Sequence, residues 1–470
     1  MKNPGNNRLF CGERARVGMA WFLGAALCVG LLSSARAEEE EGGPDFSSEP
    51  FPEQTAGFPD RPSPMLELGE PFLAPFPLGN GVVLPTGATW RPSLQVFGDY
   101  RTAVQTFKNG AGRRTSEWAN RLDIYSNLQL TGTERLIVGL RPFDNQRDFS
   151  GYEFGPSGRW VDSLNPRLQT AFFEGNFGEI FPNLDPSDSK QLDYEFSVGR
   201  QLLTLQQGML LNGTMDMVGV TRDNLSIPGG SHLRWTSFFA WNKVQRAEGE
   251  FGDHRAKVVG IHTLADFFST TFELDTVYLD SSTDRGSGFY SGLSATQRFG
   301  ALNTTFRALT SVATDRTTPL IRNGTVLFGQ VSWTPTATEN LLYWNAFWGL
   351  DHFNSVARDP DQFGPAGNTG ILFSEVGIGR YGAALESAVD RRVGSAMGYQ
   401  MFLDGQRRQL ILEIGGRAAN GDRQISAGAA GLRFQQAIGQ NAIWQIDGFA
   451  GGDDAGAFIN GVRTEIQVKF

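Results

Sequence analysis

Cysteine is almost absent from this sequence, and the positions of the two cysteines indicate that the mature protein has none. Cys11 and Cys28 are the only cysteines among 470 residues. Both lie in residues 1–37, where a basic start precedes the uncharged run Val17 to Leu32 and the small-residue site Ala35-Arg36-Ala37. This three-part pattern predicts a secretory signal peptide that is removed. The exported chain would then lack cysteine, which excludes disulfide scaffolds and thiolate metal sites.

Long apolar runs are also missing. After Ala37 no uninterrupted apolar stretch reaches the roughly 20 residues that a membrane-spanning helix requires. The formal net charge is −9, so we expect no nucleic-acid partner, because phosphate contacts need a clustered basic surface. A soluble periplasmic protein and a β-barrel membrane protein remain compatible with these absences.

What is abundant favours strands and turns. The chain contains 58 Gly, 36 Phe, 10 Trp and 9 Tyr, and only 19% of its residues are charged. Such a composition indicates β-structure. It does not by itself separate a barrel from a secreted β-sandwich.

Residues 38–91 form a distinct acidic and proline-rich segment. Four consecutive glutamates, Glu38 to Glu41, open it, and half of the 22 prolines lie between Pro44 and Pro92. Proline at this density prevents continuous helix or internal strand. We therefore predict an extended periplasmic arm, which serves either as a linker or as a plug folded into a pore.

From residue 92 to residue 470 the hydrophobic pattern has a period of two. In Glu117 to Thr131, for example, Leu122, Ile124 and Leu128 alternate with polar residues. Segments of about ten residues with one apolar and one polar face are typical of half-buried strands. Tight connections such as 131–134 and long polar ones such as 142–166 indicate short turns at one end and long loops at the other. We predict an all-β fold, an antiparallel transmembrane β-barrel of 16 or 18 strands.

The polar face carries arginine where a soluble sandwich would carry lysine. There are six lysines against 35 arginines. A barrel encloses its polar face around water and exposes its apolar face to lipid. Where the period-two alternation assigns each residue to one face, the polar face predicts these charged residues as the pore lining: Arg101, Arg121, Asp123, Arg135, Arg141, Arg234, Glu273, Asp275, Arg307, Glu413, Arg417 and Arg463. Both signs are present, which favours polar or zwitterionic solutes over anions alone.

The last segment alternates most regularly. Val462, Thr464, Ile466, Val468 and Phe470 face away from charged and polar neighbours. A closed barrel must pair its last strand with its first. A terminal strand ending in phenylalanine resembles the assembly signal of bacterial outer-membrane barrels, which implies the outer membrane of a diderm bacterium, its lipid and its barrel-assembly machinery as partners.

Catalytic chemistry has little support. The four histidines, His232, His254, His262 and His352, have no metal-ligand spacing between them. Asp253-His254 could form half of a hydrolase site, but no Gly-x-Ser-x-Gly motif accompanies it. We expect neither an enzyme nor a bound metal, and passive transport needs no cofactor.

One stretch resembles a particular family. Val198-Gly199-Arg200-Gln201, followed by Gly208-Met209-Leu210-Leu211 and Thr221-Arg222, is similar to the Gly-Arg-Gln region of the alginate-export family of substrate-specific porins. The resemblance implies that this motif ends a strand and begins an inward-folding element. We expect Arg200 and Arg222 to line the pore, because a guanidinium in a narrow pore offers directional donors to carboxylates or sugar hydroxyls. The alternative is that they pair with inward carboxylates on neighbouring strands and stabilise the barrel. The resemblance also implies a passive channel for hydrophilic solutes, saccharides or polysaccharide among them. The alternative is a plugged barrel with a structural or surface-interaction role.

Overall fold

The computed structural model describes residues 63–70, 79–109, 113–145, 148–187, 189–246, 251–282, 284–336, 338–419 and 425–470. The signal segment and most of the acidic arm lie outside these ranges. Strands dominate the described residues. None of their helices is long and apolar enough to cross a membrane.

Eighteen antiparallel strands form one closed sheet in the described residues, which confirms the predicted barrel and selects 18 strands over 16. Each strand pairs with its neighbours in the chain. The strands are β1 (Ser93–Lys108), β2 (Thr115–Gln129), β3 (Arg135–Leu140), β4 (Leu168–Asn176), β5 (Tyr194–Leu205), β6 (Leu211–Leu225), β7 (His232–Trp241), β8 (Lys257–Phe267), β9 (Thr270–Asp280), β10 (Gly288–Phe299), β11 (Leu302–Ala313), β12 (Gly324–Trp333), β13 (Leu341–Asp351), β14 (Arg392–Leu403), β15 (Arg408–Ala419), β16 (Ala427–Ile438), β17 (Ala442–Asp453) and β18 (Phe458–Lys469).

Closure occurs between the last strand and the first. Ten residues of β18 pair with β1, from Asn460 opposite Lys108 to Lys469 opposite Asp99. Phe470 extends this pairing, because its N–H donates to the Gly98 carbonyl at 3.0 Å and its own carbonyl accepts from Gly98 N–H at 2.8 Å. The C-terminal segment therefore leaves no free edge at this seam.

The two ends of the barrel differ. The start of β1 and the end of β18 lie at one end, the turn end, where connections such as 268–269 and 300–301 have two residues. The opposite end, the loop end, carries the long connections 141–167, 242–256 and 352–391. Minor elements are the short strands Leu66–Leu68, Val82–Val83, Thr89–Trp90, Asp144–Asn145, Asp148–Gly155, Arg159–Val161, Val244–Arg246 and Phe251–Asp253, the α-helix Phe177–Ile180, and the 3-10 turns Pro182–Leu184, Gln206–Gly208 and Pro365–Thr369.

Side chains alternate between two faces along each strand. Val198, Leu202, Val259, Ile414 and Val462 are exposed on the outer face. Their sequence neighbours point into the lumen, the space that the barrel encloses. The outward apolar and inward polar arrangement follows the period-two pattern of the sequence.

The described part of the acidic arm lies at the turn end. Leu66–Leu68 pairs with Leu94 to Val96 of β1. Asn183, in the connection between β4 and β5, donates to the Pro85 carbonyl at 3.2 Å. The other residues of the arm, on which the plug hypothesis depends, are outside the described ranges.

We expect the seam to be sensitive at Gly98. A Cβ there would lie 2.2 Å from the Asp123 carbonyl oxygen and 3.1 Å from the Phe470 ring. Gly98→Ala should therefore destabilise the barrel by about 1–3 kcal/mol through overpacking. Gly132→Ala is the matched control, because a Cβ at Gly132 has no neighbour within 4 Å. The unfolding midpoint in denaturant, followed by heat-modifiable gel mobility, measures the difference, and equal midpoints for the two variants would contradict the expectation.

Candidate functional site

The connection between β13 and β14 enters the lumen. We call residues 352–391 the inserted loop. Its Val376 carbonyl accepts from Arg101 of β1 at 2.9 Å, and its Gly377 carbonyl accepts from Arg121 of β2 at 2.8 Å. In the ring of strands, β1 is five steps from β14, so these contacts require the loop to reach across the enclosed space.

The beginning of the inserted loop pairs with the part of β6 that extends beyond β7 at the loop end. Asn212 N–H donates to the Ala357 carbonyl at 3.0 Å, and Asp359 N–H donates back to the Asn212 carbonyl at 2.9 Å. The Asp359 carboxylate accepts from Thr214 N–H at 2.9 Å. Burial raises the pKa of Asp359 to about 6. Ionisation of Asp359 therefore disfavours the docked loop, and the pairing between the loop and β6 is most stable at acidic pH.

Apolar packing holds the loop inside the barrel. Leu372, Phe373 and Leu385 are fully buried, and the Phe373 ring meets Phe347 of β13 edge to face at 5.6 Å. Each such side chain contributes about 1.5–3 kcal/mol through burial. The lumen is therefore partly filled by a hydrophobic core that the strand pattern alone does not reveal.

A second segment folds inward beside the loop. We call residues 206–210, which join β5 to β6, the inserted turn. Its Met209 and Leu210 are fully buried. Arg358 of the inserted loop donates to the Gly208 carbonyl at 2.7 Å and to the Met209 carbonyl at 3.4 Å. The two inserted segments are thus tied to each other.

Glu413 clamps the loop to the wall. One oxygen of this β15 carboxylate accepts from Leu372 N–H at 2.8 Å, and the other accepts from Ile371 N–H at 3.0 Å and from the Tyr343 hydroxyl. A Cβ on Gly370 would lie 2.1 Å from Glu413. Only glycine leaves room for this close approach.

An arginine-rich wall faces the loop. Arg101 pairs with Glu465 at 2.6 Å, and Arg433 pairs with Asp447 at 2.6 Å. Arg463, fully buried between them, contacts both carboxylates. These residues lie on β16, β17, β18 and β1, so alternating charges line four adjacent strands. Removing one partner would leave a buried charge unpaired, which is costly.

The arginine-rich wall continues into β2 and into the connections at the loop end. Arg141 pairs with Asp123 at 2.6 Å and also with Asp361 of the inserted loop. Arg380 of the loop reaches Glu117 at 3.1 Å and Glu153 at 3.2 Å. The loop therefore contributes charges of both signs to the wall that it faces.

Acidic residues lie on the opposite wall. Glu273 and Asp275 are on β9, nine strands from β18 in either direction around the ring. His262 of β8 contacts Asp275 at 2.8 Å, and Arg307 lies over the Phe328 ring at 5.7 Å. The lumen therefore presents paired arginines and carboxylates on one wall and the carboxylates of Glu273 and Asp275 on the other.

Register shows where each sequence-predicted lining residue points. Most lie on the lumen side, with Arg135 at the turn end beside Glu174 and Arg417 near the loop end beside Glu386. The residues on the lumen side are Arg101, Arg121, Asp123, Arg135, Arg141, Arg234, Glu273, Asp275, Arg307, Glu413, Arg417 and Arg463.

Arg200 and Arg222, in contrast, lie on the outer face of the barrel. Arg200 shares the face of exposed Val198 and Leu202 and pairs with Asp216 at 3.1 Å. Arg222 lies over the Tyr194 ring at 5.0 Å, on the outer face near the turn end. The motif that drew attention to Arg200 lies inside β5, and the inward-folding element begins only at residue 206.

Sequence reasoning did not identify several members of the site. Arg433 and Asp447 could have been found, because each alternates with apolar neighbours along its strand. Asp361 and Arg380 carried no periodic signal, since they lie in the loop. Asp253 of the Asp253-His254 pair is buried. Its carboxylate stabilises the turn that follows it, accepting from Arg255 N–H at 3.1 Å and Ala256 N–H at 3.2 Å.

We expect Glu413→Gln to loosen the inserted loop. Both carboxylate oxygens accept backbone N–H groups, so either orientation of the glutamine amide would turn its NH2 toward a donor. Trypsin should then cleave after Arg380 several-fold faster than in the wild-type protein. Glu179→Gln, at an exposed turn-end position, is the control, and unchanged cleavage of the Glu413 variant would contradict the clamp.

No protein-family model and no curated protein sequence matches this chain. Solved structures of outer-membrane porins do. OccK9 (OpdG) of Pseudomonas aeruginosa is 14% identical, with 80% of this chain and 98% of that chain covered and a TM-score of 0.53. A BenF-like porin from Pseudomonas fluorescens Pf-5 is 13% identical, with 80% and 98% covered and a TM-score of 0.53. OccK2 (OpdF) of Pseudomonas aeruginosa is 10% identical, with 80% and 98% covered and a TM-score of 0.54. The chain thus has the closed antiparallel barrel fold seen in outer-membrane porin structures.

Proposed function

We propose that this protein is an outer-membrane porin, a passive channel for hydrophilic solutes that the inserted loop narrows. The observation that carries the proposal is a closed 18-strand barrel with an apolar outer face and an ionised inner wall. Most strands have 9 to 16 residues, and about 9–11 suffice to cross a bilayer. A soluble protein would have no reason to enclose its arginines and expose its apolar side chains.

Paired charges at the constriction favour dipolar or neutral solutes. Arg101, Arg433 and Arg463 face the loop together with Glu465 and Asp447. A solute that crosses this region meets donors and acceptors on one wall and carboxylates on the other. Ion selectivity should therefore be weak, while orientation of polar solutes should be strong.

A belt of glutamines supports saccharides as one solute class. Gln400, Gln409, Gln435, Gln445 and Gln467 point into the lumen from five consecutive strands, β14 to β18. Hydrogen bonds link the first four in series: Gln400 donates to Gln409 at 2.9 Å, Gln409 to Gln435, Gln435 to Gln445 at 2.5 Å, and Gln445 to Asp447 at 2.6 Å. Gln467 donates to Asp99 at 3.2 Å. Each amide offers both donors and acceptors, which suits sugar hydroxyls.

The saccharide could be a free sugar, a sugar acid or an exported polysaccharide such as alginate. OccK2, which is similar in fold, has been solved in complex with glucuronate. The inserted loop occupies part of the lumen, and the lining carries both signs of charge. Short saccharides fit these features better than a long polyanion.

The second candidate is a closed barrel with a structural or surface-interaction role. The buried apolar packing of Leu372, Phe373 and Leu385 favours it, because such a core does not move at small cost. The two candidates differ in whether the wild-type protein conducts.

Conductance in a planar bilayer separates the candidates. We expect discrete ohmic steps from the wild-type protein. Replacing Ile371–Tyr381 with a Gly-Ser segment of equal length should raise the step size several-fold, because the loop loses its apolar and Glu413 contacts. The control replaces the turn-end connection 404–407 in the same way. Steps only from the loop variant would favour the closed barrel, and no steps from either protein would overturn the porin.

Saccharide block tests the solute class. Maltooligosaccharides and glucuronate should interrupt the current of the wild-type channel in a concentration-dependent manner. Gln435→Met keeps the side-chain length but removes the amide, and it should weaken the block about tenfold, the loss expected for a net hydrogen bond of about 1 kcal/mol or slightly more. Gln201→Met, on the distant strand β5, is the matched control. A block that is equal in both variants would exclude the glutamine belt as the sugar contact.

A further inference from the structure

A cluster of one histidine and two carboxylates lies on the acidic wall. His262 of β8 is in register with Asp275 of β9, and Glu273 is two residues from Asp275 on the same face. One ligand atom from each side chain can be chosen so that all three lie within 4.8 Å of one another. His262 Nδ1 is 2.8 Å from Asp275 Oδ1 and 3.9 Å from Glu273 Oε1.

These separations suit a small divalent cation. Zinc with bonds of about 2.0–2.2 Å holds tetrahedral ligand atoms roughly 3.4 Å apart, a value that lies between the two distances from His262 Nδ1. The imidazole nitrogen favours zinc and related transition metals over calcium, which takes six to eight oxygens. Two neighbouring carboxylates also repel each other, and a dication between them removes that repulsion.

The inserted turn supplies an independent observation. Gln206 is 0% exposed, and its Nε2 donates to Asp275 Oδ2 at 2.8 Å. The Oε1 atom of the same amide is buried and has no hydrogen-bond partner. A buried amide oxygen at the edge of this cluster is an available metal ligand. Rotation of the amide would bring it to the metal in place of Nε2.

The surroundings keep Gln206 in this position. Gln206 N–H donates to Glu273 Oε1 at 3.1 Å. A Cβ on Gly292 of β10 would lie 2.7 Å from Gln206 Cγ, so glycine there leaves the space that the side chain occupies. Ser294 of β10 donates to Glu273 Oε2 at 3.3 Å and orients that carboxylate, as outer-shell groups do in metal sites.

We propose that His262, Glu273 and Asp275 form a divalent transition-metal site, with Gln206 Oε1 as the fourth ligand. The nearby cations are Arg307, whose β11 position is in register with Ser294, and Arg234 on β7. Their positive charge reduces the affinity for metal, but the Arg307 guanidinium donates to Gln330 at 3.2 Å and that of Arg234 donates to Asp223 at 2.9 Å. Bound metal would join β8 and β9 to the inserted turn, which Arg358 ties to the inserted loop. The site therefore fixes the constriction from the acidic wall.

Zinc titration of the purified full-length protein in detergent tests this site without relying on transport. Isothermal calorimetry with ZnCl2 should show one site per chain, and His262→Gln and Glu273→Gln should each weaken it at least tenfold. His232→Gln is the matched control. His232, which contacts Asp223 and Asp266, does not belong to the cluster of His262, Glu273 and Asp275, so its removal should leave binding at that cluster unchanged. Gln206→Ala should weaken binding less than the His262 variant.

Histidine modification provides a second measurement on the unaltered protein. Zinc should protect His262 from diethyl pyrocarbonate and leave exposed His254 reactive, as read by mass spectrometry of peptides. Equal protection of both histidines, or zinc affinity that the His262 variant retains, would overturn the site. Heat-modifiable mobility of each variant shows that the barrel is intact, so a loss of binding is assigned to the ligands. Failure of the bilayer experiment would overturn the channel without affecting these results.

Discussion

Closure of the sheet between β18 and β1 is the constraint on which the rest of the structure depends. In a hydrocarbon environment every backbone N–H and C=O must be paired, and a sheet meets this requirement only when it has no edge. Ten paired residues and the two Phe470–Gly98 hydrogen bonds complete the ring. Once the ring is closed, alternate side chains are divided between outside and inside, and all inward charges must find partners within the same enclosed volume.

The enclosed volume is organised by two segments that leave the wall. The inserted loop packs Leu372, Phe373 and Leu385 into a core against β13, while its backbone carbonyls and charged side chains meet the arginine wall. The inserted turn reaches the acidic wall through Gln206. Arg358 connects the two segments, so contiguous contacts run from one wall to the other. Hydrophobic packing therefore holds the inserted segments in the lumen as much as the charged contacts do.

Charges in the lumen follow strand order. Arg101, Arg433 and Arg463 cluster because β16, β17, β18 and β1 are neighbours, and Glu273 lies opposite them because nine strands separate β9 from β18. Alternation along single strands was enough to place twelve of the predicted lining charges on the lumen side. Arg200 and Arg222 were selected through a motif instead, and the register places them on the outer face, where each has a local partner: Asp216 for Arg200 and the Tyr194 ring for Arg222.

The amino-acid sequence by itself determined the fold class, the division into an apolar and a polar face and most of the inward charges, because these depend on local alternation with a period of two. Short turns and long loops were also evident from residue type. Only the tertiary structure decided the strand number, the entry of residues 352–391 into the lumen and the meeting of His262, Glu273 and Asp275 with Gln206. Those features depend on contacts between residues that are distant in the chain. Asp361, Arg380 and Leu372 have no periodic neighbours that would indicate which wall they approach, so a closed ring had to be present before their partners could be named.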